Sequence, residues 1–328
     1  MSVAALGVVS ALALSGCSSD NSDDKSSDSS AKDSITIGIS QYVTHPSLDA
    51  TAVGFKKALE DAGYVEGETV TYDEQNAQAD QATVTTISGN MADSDLDLVL
   101  AIATPSAQAA AQSITNIPVL FTAVTDAVEA GLVESNDKPG SNVTGTSDLT
   151  PVAEQFDLIR EILPDAKKVG IIYSSGEVNS EIQVDLAKEA AKDLGITISE
   201  AVISDASEIT NAVDGLKDVD AIYVPTDNKV VAGIEAVVKF SEDNKIPLFA
   251  GDAATVERGA AATTGINYED LGYQTGEMAV RILKDGADPA TMPVEVLSKT
   301  TLSINPEAAE RMGFTIPEAV VSRADETY

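Results

Sequence analysis

Short apolar runs alternate along this chain with longer stretches whose apolar residues recur at helical spacing. Ile35–Ile39 (ITIGI) reads as a strand. After it Leu48, Ala52, Phe55, Leu59 and Ala62 fall at steps of four and three, one face of a helix. Val169–Tyr173 (VGIIY) reads as a second strand, followed by a helix face of Val184, Ala187, Ala191 and Leu194. Strand-then-helix order of this kind predicts an α/β fold whose sheets are parallel and whose crossovers are right-handed.

The pattern is written twice. Leu98–Ala103 ends in Thr104-Pro105-Ser106 and enters a helical run, and Ala221–Val224 ends in Pro225-Thr226-Asp227-Asn228 and does the same. Ile117–Phe121 leads to Thr125-Asp126, as Ile246–Phe249 leads to Gly251-Asp252. The unit opening at Gly38 matches the one opening at Gly170, and the paired features lie 120 to 132 residues apart in conserved order. This predicts two doubly wound parallel-sheet lobes of like topology. Later segments have no early counterpart: Ala260–Ile266, a helix face of Leu271, Thr275, Met278 and Ile282, and a strand over Val294–Ile304 before a short helix at Pro306. They read as chain passes that return to the first lobe and then to the second. The crossovers are expected at Gly140–Thr146, Thr263–Asn267 and near Pro293. The domain reading is therefore 1–34 as leader and tether, 35–145 plus 267–293 as one lobe, and 146–266 plus 294–328 as the other. Three connections make a hinge that permits closure around a ligand.

Composition narrows the class. Of the 328 residues, those from Ile35 onward exceed the usual size of a single core, which agrees with two lobes. Ser18–Ser34 (SSDNSDDKSSDSSAKDS) cannot bury apolar surface and reads as a solvated tether. Net charge is −33; the tether's five Asp and two Lys contribute −3 and leave about −30 on the body. Such a body repels nucleic acid and anionic lipid headgroups. With one cysteine, Cys17, an intrachain disulfide is impossible.

Ligands of open α/β sheets bind beyond the carboxyl ends of the strands. That nominates the loops Gln41–Asp49, Thr104–Ser106, Thr122–Asp126, Tyr173–Ser180, Pro225–Asn228 and Gly251–Asp252. Hydroxyls and amide groups at helix starts, as in Thr104-Pro105-Ser106 and Ser174-Ser175-Gly176, suit a carboxylate. Asp126, Asp227, Asp252 and Glu177 suit an ammonium, so a cleft holding both sets is complementary to a zwitterion. Ser and Asp before helices also serve as plain caps. Tyr42, Phe121, Tyr173 and Tyr223 near strand ends suit either stacking on an aromatic ligand or core packing. Catalytic signals are poor. His45 is the sole histidine, so a Cys–His pair is excluded and a Ser–His–Asp triad would have to use it. No GxGxxG follows the first strand, there is no Walker loop, and no His/Cys cluster exists for zinc. Neither a metal nor a cofactor is expected.

At these loops the chain resembles the ABC-transporter substrate-binding proteins of the tryptophan/tyrosine type. The resemblance rests on Gln41–Asp49 (QYVTHPSLD), Gly54-Phe55, Gly63–Gly67 (GYVEG), Gln75–Gln78 (QNAQ) and Ala103–Gln108 (ATPSAQ). It continues through Phe121–Asp126 (FTAVTD), Asn142–Gly145 (NVTG), Glu177–Ser180 (EVNS) and Val224–Asn228 (VPTDN). Ala127 stands where the family usually has Pro, and Ser141 where a second Gly is usual. The resemblance implies a type I periplasmic-binding-protein fold, a small guest in a central cleft, delivery to a permease, and aromatic amino acids as the substrate class. At the other end Leu14-Ser15-Gly16-Cys17 follows an apolar stretch from Val3 and resembles a bacterial lipobox, although no Lys or Arg precedes that stretch. The stretch is shorter than the ~20 residues that span a bilayer. This second resemblance implies a mature protein that begins at a lipidated Cys17 and sits outside the cytoplasm, tied to the membrane by lipid.

The expectation is a monomeric, lipid-anchored, non-enzymatic receptor that closes on an amino acid. The hydroxyls and amides of Thr104–Ser106 and Ser174–Ser180, including Ser106, Asn179 and Ser180, are expected to hold the carboxylate, and Glu177 is a candidate partner of the ammonium. Asp227, with Asp126 or Asp252, is expected to balance the ammonium. The His45 loop and nearby tyrosines, Tyr173 among them, wall the side chain; Gln41, Thr125 and Asn228 complete the set. The alternatives are a cell-surface enzyme using His45 or an acid pair, and a sensory receptor of the same fold.

Overall fold

Two sheets of mainly parallel strands, each covered by helices, make up residues 34–328, the residues described by a computed structural model. Cys17, on which the lipidation expectation rests, lies outside the described residues. The first lobe runs β1 (Ile35–Gln41), α1 (Pro46–Asp61), β2 (Val70–Asn76), α2 (Gln81–Ala92), β3 (Leu98–Ile102), α3 (Thr104–Ser113), β4 (Val119–Val124) and β5 (Val143–Ser147). The chain then builds the second lobe: α4 (Val152–Ile162), β6 (Lys168–Ser174), α5 (Val178–Asp193), β7 (Thr197–Ile203) and α6 (Ile209–Val213). It continues through β8 (Ala221–Val224), α7 (Asn228–Ala232), α8 (Ile234–Asn244), β9 (Leu248–Ala250), α9 (Ala253–Glu257) and β10 (Ala262–Gly265). Next, α10 (Tyr268–Asp285) and β11 (Glu295–Val296) return to the first lobe. Finally β12 (Thr301–Ile304), α11 (Pro306–Arg311), α12 (Glu318–Val321) and β13 (Glu326–Thr327) close the second.

The strand orders express the repeat read from the sequence. The first sheet is β2-β1-β3-β4-β5-β11 and the second β7-β6-β8-β9-β10-β12-β13. All pairs are parallel except β10 with β12. The central strands β3, β4 and β8 are buried along their whole length, as sheets covered on both faces require. One apolar core fills the first lobe around Phe55, Leu100 and Phe121. Two cores flank the second sheet, one around Phe156 and Tyr223, the other around Ile222 and Val237.

Two of the expected lobe boundaries move. β5 keeps its place in the first sheet as far as Ser147, past the boundary expected at 145. The stretch 294–304, read as one strand of the second lobe, is two strands. β11 pairs with β5 (Glu295↔Thr146), and β12 pairs with β10 (Ala262↔Ile304). The exposed polar run Ser298-Lys299-Thr300 separates them, so the third crossing falls at 297–300 rather than near Pro293. The other crossings are at 148–151 and 266–267.

Candidate functional site

The carboxyl ends of the strands in both sheets face a cavity between the lobes. The first lobe contributes His45, Ser47 and Leu48 from the β1–α1 turn, Ala123 and Thr125 beyond β4, Asp148 just after β5, and Tyr268 at the start of α10. The second contributes Asn179 on α5, Thr226, Asn228 and Val231 around the start of α7, and Asp252 after β9. The space between these residues amounts to about 310 Å³. The lobes stand closed around it. A hydrogen bond from Ser47 Oγ to Asp252 Oδ1 at 2.8 Å ties α1 of the first lobe to the second across this closed gap.

Local strain aims several of these residues. β4 breaks register with β5 between Phe121 and Val124, and Ala123 there has φ +54°; a bulge of this kind re-aims the following side chains. Thr125 then reaches Asp148, its Oγ1 donating at 3.3 Å to Oδ1. Tyr268 donates its phenol to Asp148 Oδ2 at 2.8 Å. Burial pushes the Asp148 carboxyl up to about 6 despite these two donors, and the nearby Asp252 charge adds to the rise. Asp252 accepts from Ser47 Oγ, Thr255 N and Thr255 Oγ1. Burial lowers the His45 basicity against the pull of Asp252, leaving the imidazole neutral at physiological pH, and its Nδ1 has no hydrogen-bond partner among the described residues.

The structure gathers His45, Thr125, Asn179, Asn228 and Asp252 of the expected set around the cavity. Other members do different work. Gln41 donates Nε2 to Val43 O and Asp49 Oδ1 and so braces its own loop. Asp126 caps the turn after β4 by accepting from Val128 N and Glu129 N. Tyr173 donates its phenol to the partly exposed Glu200 on the edge strand β7, away from the cavity. Asp227, expected to meet the ammonium, is saturated from within its own lobe. It accepts from Ser174 N and Ser180 Oγ, both at 2.6 Å, and caps α7 through Val230 N at 2.8 Å. Ser180 is committed to that bond. Thr104 and Ser106 open α3 with buried hydroxyls that have no partner among the described residues, but neither lines the cavity. Glu177 lies behind the lining, with Oε2 accepting from Asn228 N, Asn228 Nδ2 and Asn179 Nδ2.

Sequence reasoning missed Asp148 and Tyr268. Asp148 follows the carboxyl end of a strand, the same signal that nominated the other loops, but it sits in a crossover where no helix follows in register. Tyr268 enters through the returning helix α10, whose start has no counterpart in the repeat. Among the described residues no group of three or more His, Cys, Asp or Glu gathers as metal ligands, and no helix is long and apolar enough to cross a membrane.

Residues 36–328 match the family described as ABC transporter substrate binding protein. A tyrosine-binding protein of Clostridioides difficile (strain R20291) is 43% identical over 316 residues, spanning 95% of this chain and 91% of the relative. A domain from Streptococcus pneumoniae solved in complex with L-Trp superposes with a TM-score of 0.87 at 39% identity, covering 90% of this chain and 100% of that one. The ligand-free, open structure of a substrate-binding protein with adhesive properties from Clostridium difficile gives 0.68 at 43% identity, over 90% of this chain and 99% of that one. The shape thus follows the complexed relative more closely than the open one, although the open one is nearer in sequence. That agrees with the closed cavity.

Proposed function

The chain belongs to the ABC transporter substrate-binding protein family and has the two-lobed type I periplasmic-binding fold, and we propose that it closes on one aromatic amino acid and delivers it to a permease. The observation that carries the reading is the make-up of the cavity: two carboxylates, Asp148 and Asp252, face a wall of neutral donors, and no Lys or Arg lines the space. A buried anion pair of this kind calls for a cation, and an α-ammonium supplies one. His45 and the Asn228 side-chain amide offer hydrogen bonds to a carboxylate without adding net charge. Leu48, Val231 and Ala123 offer apolar surface, with the Tyr268 ring beside them, which suits an aromatic side chain. The relative named for tyrosine and the neighbour holding L-Trp support the same ligand class. The reading includes a monomer held outside the cytoplasm by lipid on Cys17.

The test is a thermal-shift screen of the twenty amino acids on protein that has been unfolded, dialysed and refolded to strip bound ligand. A ligand at a hundred times its dissociation constant adds about 2.7 kcal/mol to the native state. L-tyrosine, L-tryptophan or L-phenylalanine is expected to raise the melting temperature by several degrees. Silence from all three, with a response to another class, replaces the ligand assignment.

A further inference from the structure

We propose that Asn179 reads the side chain of the guest. Its carbonyl oxygen accepts a hydrogen bond from the ring, so the site selects aromatic amino acids that carry a ring O–H or N–H and discriminates against phenylalanine. The inference deepens the ligand reading above and rests on it.

Asn179 sits in the first turn of α5 and is 3% exposed. Its side-chain nitrogen is fully engaged. Nδ2 donates to Glu177 Oε2 at 3.1 Å, to Thr226 O at 3.2 Å and to Ser180 Oγ at 3.3 Å. A backbone carbonyl only accepts, so turning the amide over would set its oxygen against Thr226 O. Gln183, one turn further along α5, holds that carbonyl in place. Its Oε1 accepts from Thr226 N at 3.1 Å, and its Nε2 donates to Thr226 Oγ1 at 2.6 Å and to Asn179 O at 3.1 Å. The amide is therefore locked with Oδ1 as its free end. That oxygen is buried, has no partner among the described residues, and belongs to a residue that lines the cavity. The loop signal assigned Asn179 to a carboxylate, but a bare acceptor has the wrong polarity for one. It calls for a donor on the guest, and a complex that leaves it bare is weakened.

Which donor meets it follows from the strand order. The second sheet runs β6-β8-β9 toward the crossings. Asn179 follows β6, Asn228 follows β8 and Asp252 follows β9. Neighbouring strands stand about 4.8 Å apart, which separates Asn179 from Asp252 by roughly 10 Å. Asp148 lies at the crossing end as well, directly after β5. Two acceptors of one ammonium lie within about 6 Å of each other, because each takes a bond of about 3 Å. An ammonium shared by Asp148 and Asp252 does not reach Asn179. Asn228 stands one strand outward from Asp252, the place for the carboxylate of the same guest. Val231, one turn beyond Asn228 on α7, supplies apolar wall at this outer end. The end of the guest that arrives at Asn179 is its ring. A phenol O–H or an indole N–H satisfies Oδ1, and phenylalanine leaves it bare. Sites built to bond a substrate hydroxyl reject the analogue that lacks it far more strongly than apolar pockets reject a change of size.

The experiment is calorimetric titration of L-tyrosine, L-phenylalanine and 4-fluoro-L-phenylalanine into the stripped and refolded protein. The fluorine fills the place of the phenol oxygen and cannot donate. The wild type is expected to bind L-tyrosine at least about tenfold more tightly than either analogue. Asn179→Leu keeps the bulk and removes the acceptor. It is expected to lose at least about tenfold in affinity for L-tyrosine and to bring the three ligands within about threefold of one another. A purely structural Asn179 would weaken all three alike and leave their ratio standing, and that result overturns the inference. A wild type that binds the three within about threefold of one another also overturns it, and this comparison needs no variant to fold. Both results leave the ligand reading intact. No heat with L-tyrosine, L-tryptophan or L-phenylalanine fails the ligand reading, and this inference with it.

Discussion

At the residue scale, the account turns on which carboxylates are free to meet a ligand. Asp227 had every sequence credential for that role: it follows a strand, precedes a helix and sits in the loop that repeats Thr104–Ser106. An N-cap has the same credentials, and here the cap won, with the Ser174 amide and Ser180 hydroxyl filling the remaining lone pairs. Asp148 had weaker credentials and a freer carboxylate, served by Tyr268 and a long contact from Thr125. Asp148→Asn is expected to weaken amino-acid binding at least about tenfold, the scale of one hydrogen bond to a charged group, with melting temperature little changed. The pH dependence has a defined sign. A carboxyl pushed up to about 6 is protonated below that value, and an α-ammonium needs the ionised form. Affinity in the wild type is thus expected to fall as pH drops below about 6, and calorimetry on Asp148→Asn should show that fall removed.

At the element scale, the strand ends were legible and the helix-to-helix contacts were not. Apolar runs and helical spacings located β1, β3, β4, β6, β8 and β9 with their following turns, because a fully buried strand needs an unbroken apolar run and its turn needs caps. What the pattern cannot carry is how closely two helices approach. Helices α1 and α10, far apart in sequence, cross with their backbones nearly touching. A Cβ on Gly272 would lie 2.0 Å from Thr51 O, and one on Gly54 1.9 Å from Glu269 O. Neither glycine has positive φ, so the requirement is space rather than backbone freedom. This crossing holds the returning helix, and with it Tyr268, against the first lobe. Gly272→Ala forces the helices apart and is expected to cost about 3 kcal/mol, the upper end of ordinary overpacking. Thermal unfolding followed by circular dichroism should show a drop of several degrees. An unchanged melting temperature would mean the crossing yields more easily than its geometry implies.

At the scale of the whole molecule, the repeat explains the hinge. Two lobes of matching strand order, β2-β1-β3-β4-β5 and β7-β6-β8-β9-β10, present the carboxyl ends of their strands to each other. The doubled pattern in the sequence announced this arrangement. The exact crossings escaped it, because β11 is only a short strand and carries no periodicity of its own. Closure in this structure joins Ser47 of the first lobe to Asp252 of the second and gathers lining residues from both lobes around one cavity. A guest that bridges the lobes favours this arrangement by the contacts it makes to both.

Small-angle X-ray scattering of stripped protein during a titration with L-tyrosine tests that closure directly. The radius of gyration is expected to fall in step with occupancy and to stop falling at one ligand per chain. A radius that stays constant while calorimetry shows saturation would contradict a receptor whose halves shut on their guest.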